Sequence, residues 1–239
     1  MIVRCDMDKC DTARNTGLFT AAALRGVLFD MDGLIFDTER LGREGWLYAG
    51  GQLGLDIPDQ VIAAMRGTGV DRCRALFNEA VPGGMYDEAH EIRLEYAQRW
   101  IDAHGVPVKP GLRELLGYLR REGIPAVLAT STPRERAELW LEMAEVRAYF
   151  AASVCGAEAV RPKPAPDIFL AAAAAIPADP AQCVMLEDSP NGLRAAKAAG
   201  CRAIVVPDLT PAPPPGEGLW DAKAEDLTQV ISLLRQMNA

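Results

Sequence analysis

The sequence predicts an α/β fold built on a doubly wound parallel sheet, with a small α-helical domain inserted after the first strand. Three observations predict it. From residue 107 to residue 206, short apolar runs alternate with helix-like stretches, the rhythm of parallel strands joined by crossover helices. The clearest runs end in polar clusters, at the edge where open parallel sheets bind ligands. Residues 39–106 break the rhythm and read as one helix after another. The expected organisation is an N-terminal extension over 1–23, a Rossmann-like core over 24–38 and 107–239, and a helical cap domain over 39–106.

The extension reads as a mobile tail. Its Cys5 and Cys10, with Asp6, Asp8 and Asp11, offer metal ligands, but no second Cys/His pair completes the four that zinc requires. Asp6-Met7-Asp8 with Asp11-Thr12 imitates the later motif in letters only, since no glycine follows the second aspartate. Gly26-Val27-Leu28-Phe29 is a buried strand. It runs into Asp30-Met31-Asp32-Gly33, where the glycine permits a sharp departure. Helices are expected around Trp46, Val61 and Leu76 and over 86–104, punctuated by Pro58, Gly67, Gly69 and Pro82-Gly83-Gly84. An amphipathic helix over 112–121 stops near Gly123. The strand 126–129 then ends in Thr130-Ser131-Thr132-Pro133. A helix over 134–145, a weaker strand over 153–155 and a Pro-started, Ala-rich helix over 166–175 follow. The strand 183–186 ends in Glu187-Asp188-Ser189-Pro190; a helix over 191–199 closes at Gly200, and 203–206 is a final strand. The Pro-rich run 207–215 reads as an exposed extended loop, with a flap near the site as the lesser alternative.

Composition narrows the function. The chain has 239 residues, is 49% hydrophobic and carries a net charge of −8, with no Lys/Arg run. A nucleic-acid or anionic-membrane partner is not expected. No apolar stretch is long enough to span a bilayer, and the first residues lack the apolar core of a signal peptide. The six cysteines are scattered, and Cys155, Cys183 and Cys201 lie in or beside predicted strands, as reduced core residues of a cytoplasmic protein would. A monomer is the default expectation.

Four polar clusters fall at strand ends: Asp30/Asp32, Thr130/Ser131, Lys163 shortly after the third strand, and Glu187/Asp188. The two aspartates would repel unless a cation or a proton intervenes, which is the setting for a nucleophile and an acid/base beside a metal. Carboxylate oxygens suit magnesium, Lys163 can neutralise phosphate charge, and Thr130 can donate to a phosphoryl oxygen. Each piece alone has a plainer reading. Asp30 and Asp32 could be turn residues, Thr130 a helix cap, Lys163 a solvated lysine, and Glu187 and Asp188 acids favoured by a helix dipole. Their convergence on one sheet edge is what those readings do not explain.

These pieces resemble the haloacid dehalogenase-like hydrolase superfamily, in the helical-cap subgroup that includes sugar phosphatases, phosphoglycolate phosphatase and beta-phosphoglucomutase. The matching segments are 27–33 with Asp37-Thr38-Glu39, Leu128-Ala129-Thr130-Ser131, 161–167, and 186–192. The resemblance implies a magnesium-dependent phosphatase acting on a small phosphorylated metabolite through an aspartyl-phosphate. Asp30 would be the nucleophile and Asp32 the acid and base. Thr130 and Lys163 would hold the phosphoryl group, with Ser131 beside them. Asp30, the main-chain carbonyl of Asp32, and Asp188 would ligate magnesium, with Glu187 close by or reaching through water. Cap closure would exclude water and choose the substrate.

A dehalogenase is disfavoured, because that branch lacks the second aspartate present here as Asp32. A phosphomutase would want a histidine shortly after Asp37-Thr38 and an arginine after the first cap glycine, where Gly42 and Val70 stand. Phosphonate cleavage would want a cap lysine, and 39–106 has none. Arg66 or Arg72 could stand in for the arginine of a phosphomutase, so that activity is kept as the lesser alternative to a phosphatase; a non-catalytic binding member is the other, against which every catalytic residue type is present. Among the cap arginines (40, 43, 66, 72, 74, 93 and 99) most are expected to be solvated. Arg66, in the punctuated stretch 65–69, is the expected substrate contact. Trp46, Tyr48 and Trp100 are expected in the cap core rather than as stacking platforms.

Overall fold

The structure is a computed structural model that describes residues 24–158 and 161–238. The extension, with Cys5, Cys10 and the imitation motif, lies outside the described residues. Six parallel strands form one sheet in the order β3-β2-β1-β4-β5-β6: β1 (Gly26–Phe29), β2 (Ala126–Thr130), β3 (Phe150–Cys155), β4 (Cys183–Glu187), β5 (Arg202–Val205) and β6 (Ala222–Lys223).

Side-chain alternation along the strands divides the core into two layers. Val27, Phe29, Leu128, Val184, Leu186 and Ile204 face one side, where α5 (Leu112–Arg121), α6 (Arg134–Met143) and α9 (Leu227–Asn238) cover them. Leu28, Val127, Ala129, Met185, Ala203 and Val205 face the other, under α7 (Asp167–Ala174) and α8 (Pro190–Ala199). The sheet is therefore doubly wound, and nearly every residue of its three central strands is fully buried.

Between β1 and α5 the chain makes α1 (Thr38–Leu53), α2 (Asp59–Met65), α3 (Val70–Ala80) and α4 (Tyr86–His104). These helices share an apolar cluster of their own around Trp46, Ile62, Phe77 and Tyr86. The chain leaves and returns as two adjacent segments tied by Asp37 N–H to Pro107 O at 2.8 Å and Lys109 N–H to Ile35 O at 3.0 Å. Trp46 is in the core of the helical segment, as expected; Tyr48 is not, being exposed and paired with Tyr96 at 5.0 Å, and Trp100 packs against the sheet-side cluster instead.

Three elements differ from the sequence expectation. β3 begins at Phe150, earlier than expected, and its pairing with β2 shifts register at Ala126/Val127. β6 and α9 follow the Pro-rich run, where no further element was expected; α9 buries Leu227, Val230 and Leu234 on one face. The run itself is not only a solvent loop: Thr210 meets Arg66 of the helical segment. Cys155, Cys183 and Cys201 are buried free thiols. Among the described residues no helix is long and apolar enough to cross a membrane.

Candidate active site

The register of the sheet assembles the site. Phe29 stands level with Leu128 of β2 and Leu186 of β4, so Asp30, Thr130 and Glu187 emerge at one edge. Asp30 N–H donates to Leu186 O at 3.2 Å, which extends the pairing one residue and fixes the backbone below the carboxylate. Gly33, at φ +78°, turns the chain away; a Cβ there would lie 2.5 Å from Asp188 Oδ2. Both conditions restrict this position to glycine.

Lys163 reaches in from the loop between β3 and α7. Its Nζ donates to Asp30 Oδ1 at 2.6 Å and to Glu187 Oε1 at 2.7 Å. Glu187 is fully buried, and its other oxygen accepts from Ser189 N–H at 2.8 Å and Ser189 Oγ at 2.9 Å. The carboxylate occupies space left by Gly192, where a Cβ would lie 1.6 Å from Glu187 Oε1. Asp188 is buried beside this pair, and ligand oxygens of Asp30, Glu187 and Asp188 lie within 4.8 Å of one another.

Three buried carboxylates face one ammonium, so their charge is not balanced by protein groups. The titration directions reflect this. Burial, opposed by Lys163 and reinforced by Glu187 and Asp32, pushes the Asp30 carboxyl up to about 7. Burial, then Glu187 and Asp30, raises Asp188 well above the usual carboxylate range. Burial works against the charge of Lys163, but Asp30 and Glu187 more than offset it and raise its pKa. A dication relieves the excess negative charge, and an oxygen-only donor set suits a hard one. The residues present therefore fit a divalent metal.

Asp32, two residues beyond Asp30, has a different environment. Thr38 Oγ1, at the first residue of α1, donates to its Oδ1 at 2.8 Å, and Thr132 Oγ1 donates to its Oδ2 at 2.6 Å. Thr130 is buried, and its Oγ1 accepts from Thr132 N–H at 3.0 Å. Thr130 and exposed Ser131 line a cavity of about 460 Å³ with Asp30, Asp32, Lys163 and Asp188. Arg66 lines it from the helical segment; its Nη1 donates to Thr210 Oγ1 at 3.1 Å, and its Nε stands 3.4 Å from Glu39 Oε2.

All eight side chains singled out in the sequence thus meet at one edge, with Glu187 beneath the cavity rather than lining it. Sequence reasoning missed the roles of the Thr38 and Thr132 hydroxyls, although both residues stand inside quoted segments. It also placed Arg93 among the solvated cap arginines. Arg93 instead reaches a second cavity, of about 490 Å³, that opens beside Asp32 and is also lined by Glu39, Arg136 and Trp140. Its Nε is buried without a hydrogen-bond partner. Glu39 lies where burial and Asp32, opposed by Arg66 and Arg93, push its carboxyl up to about 7.

Comparison with known proteins matches residues 24–200 to the haloacid dehalogenase-like hydrolase family. The chain is 35% identical over 213 residues to a Drosophila melanogaster protein named "Probable pseudouridine-5'-phosphatase", covering 87% of this chain and 88% of that one. It is 32% identical over 221 residues to hexitol phosphatase B of Escherichia coli K12, covering 89% and 97%. A solved structure of CbbY from Rhodobacter sphaeroides in complex with phosphate superposes with a TM-score of 0.69 at 27% identity, covering 87% of this chain and 96% of that one.

Proposed function

This chain belongs to the haloacid dehalogenase-like hydrolase family, and from that premise we propose that it is a magnesium-dependent phosphatase of a small phosphorylated metabolite. One observation carries the reading. Two aspartates two residues apart are held for different tasks, Asp30 against Lys163 and Asp32 between two threonine hydroxyls. Hydrolase chemistry on a phosphate needs such a pair, a nucleophile and an acid/base.

Asp30 attacks phosphorus, and the bond to the leaving oxygen breaks as Asp32 gives that oxygen its proton. The product alcohol leaves, and Asp30 carries the phosphoryl group as a mixed anhydride. Asp32, now ionised, takes a proton from a water that attacks the same phosphorus. The bond to Asp30 breaks, phosphate departs and the enzyme is restored. Lys163, Thr130 and Ser131 hold the phosphoryl oxygens, and Lys163 also keeps Asp30 in line. Asp30, the main-chain carbonyl of Asp32, and Asp188 are the residues to hold magnesium, which supplies charge neutralisation at the phosphoryl group. Glu187, with both oxygens already engaged by Lys163 and Ser189, positions that lysine from behind.

Helices α1 to α4 act as the cap over the site, with Arg66 on its inner side. The relatives act, by their names, on a pseudouridine phosphate and on hexitol phosphates, which supports a phosphorylated sugar or a related compound as substrate here. A phosphomutase is disfavoured at Gly42: the space over it, where a histidine would be wanted, is filled by the guanidinium of Arg93.

The test is phosphate release from a panel of sugar and polyol phosphates, with magnesium and with chelator. Release that stops with chelator and is lost in Asp30→Asn is expected. Appreciable turnover by clean Asp30→Asn protein would reject the nucleophile.

A further inference from the structure

Two charged groups beside Asp32, Glu39 and Arg93, take no part in the phosphoryl chemistry above. Arg93 comes from the middle of α4 and reaches the cavity by crossing α1 where that helix has no side chains. A Cβ at Gly42 would lie 2.8 Å from its Nη2, and one at Gly45 would lie 3.0 Å from its Cγ. The face of Trp46 lies 5.7 Å from its Cζ. Its Nε remains buried and unbonded, and Arg93 belongs to no ion pair among the described residues. The two Nη groups are not closed off in this way and have no protein acceptor among the described residues, so an acceptor on a ligand can engage them. Glu39 faces the same cavity and, through Arg66, borders the phosphoryl cavity as well.

The direction of the substrate follows from Asp32. The acid that protonates the leaving oxygen must touch it, and Asp32 lines both cavities; the phosphoryl group fills the one at Thr130 and Lys163, which leaves the cavity of about 490 Å³ to the leaving group. That cavity is lined by Arg93 and Arg136 but also by Asp32, Glu39 and Glu95. A second full anion on the substrate would meet Glu39 and Glu95 there. A hydroxyl satisfies both kinds of group, since it donates one hydrogen bond and accepts others.

We infer that Glu39 and Arg93 form the leaving-group subsite, where a substrate hydroxyl donates to Glu39 and accepts from an Nη group of Arg93, so that the preferred leaving group is neutral and polyhydroxylated. This rests on the phosphatase reading. Gly42 then has a function: it gives the guanidinium its passage to the substrate.

The experiment compares kcat and KM, with magnesium, for a hexitol 6-phosphate, hexyl phosphate, a hexose bisphosphate and p-nitrophenyl phosphate. Hexyl phosphate has the same chain length without the hydroxyls. The enzymes are wild type, Arg93→Met and Gly42→Ala. The last adds a methyl group that displaces the tip of Arg93 while favouring the helix. In wild type, kcat/KM for the hexitol ester should exceed that for the hexyl ester by about 100-fold, as two hydrogen bonds to charged groups give. That ratio should fall about tenfold or more in both variants, mainly through KM. Hydrolysis of p-nitrophenyl phosphate with no preference for the hexitol ester over the hexyl ester overturns the inference and leaves the phosphatase reading standing. So does preference for the bisphosphate, or a ratio that both variants leave unchanged. Failure to hydrolyse any ester overturns the phosphatase reading and this inference together.

Discussion

At the scale of single residues, Lys163 decides the charge balance of the site. Among the described residues it is the one cation bonded to Asp30 and Glu187, and Glu187 is fully buried. Lys163→Met leaves that carboxylate without its counter-charge, a change that costs about 3–5 kcal/mol for a buried pair. We expect a chemical-denaturation midpoint well below wild type, together with loss of phosphate release; unchanged stability would show that Ser189 alone satisfies Glu187. Glu39 yields a prediction with a sign in pH. Its carboxyl holds its proton to about 7 in the fold, against an ordinary value of 4.5, because burial and Asp32 outweigh Arg66 and Arg93, with Asp208 adding to the rise. The fold therefore binds more protons here than the unfolded chain, and Glu39 withdraws stability as pH rises from about 4.5 to about 7. Glu39→Gln should melt with wild type at pH 5 but above it at pH 8, read by thermal melts in chelator; an equal shift at both values would deny the raised carboxyl. The aspartates, Lys163 and the Glu187-Asp188 pair were legible because each stands at or just beyond a strand end. Arg93 was not, because an arginine on a mixed helix gives no sign of the glycines on the helix opposite.

At the scale of elements, the turn from β4 into α8 builds the rear wall of the site. Ser189 caps α8, its Oγ accepting from Gly192 N–H at 3.1 Å while donating to Glu187. Pro190 opens the helix at a position where no amide hydrogen is needed. Gly192 then presents bare backbone to Glu187, and because the conflict at 1.6 Å is with a buried, bonded carboxylate, no easy rotation relieves it. Gly192→Ala should therefore cost about 1–3 kcal/mol through overpacking, although alanine is the better helix former. For a chain of this size that lowers Tm by roughly 2–4 °C per kcal/mol. Activity should fall further than stability, since Glu187 can yield only by moving Lys163. A variant with wild-type Tm and kcat would mean that α8 shifts as a body. Elements were readable where alternation or a helical period ran for a full turn between clear stops. β6, two residues long, has no period to read. α9 does show apolar residues at 227, 230 and 234, but the prolines before it mask its connection to the sheet.

At the scale of the whole molecule, the helical segment meets the sheet edge over the site through few bonds. Two of them are specific: Arg66 Nη1 to Thr210 Oγ1 at 3.1 Å, and Asn191 Nδ2 to Gly67 O at 3.1 Å. They join the loop after α2 to the first turn of α8, beyond β4, and to the Pro-rich loop beyond β5, so they form only when the helices lie down on the core. At the other end, Lys109 bonds Asp208 at 2.6 Å and stands 3.6 Å from Asp37, across the two segments that connect the helices to the sheet. We expect that end to act as the base and the loop after α2 as the lip that moves. Thr210 belongs to the Pro-rich run, which reaches the helical segment through this bond. If closure over the substrate excludes water and completes the site, weakening the lip shifts the molecule toward the open form without touching any group that performs chemistry. Asn191→Ala with Thr210→Val removes both bonds at exposed or half-buried positions, so stability should change by less than about 1 kcal/mol. KM should rise about tenfold for sugar and polyol phosphates, which the helices must enclose, and much less for p-nitrophenyl phosphate. Small-angle scattering should show a larger radius of gyration for the double variant than for wild type in saturating inorganic phosphate. Equal KM changes for both kinds of ester, with identical scattering, would place the moving part elsewhere and leave the two bonds as ornaments of a rigid body.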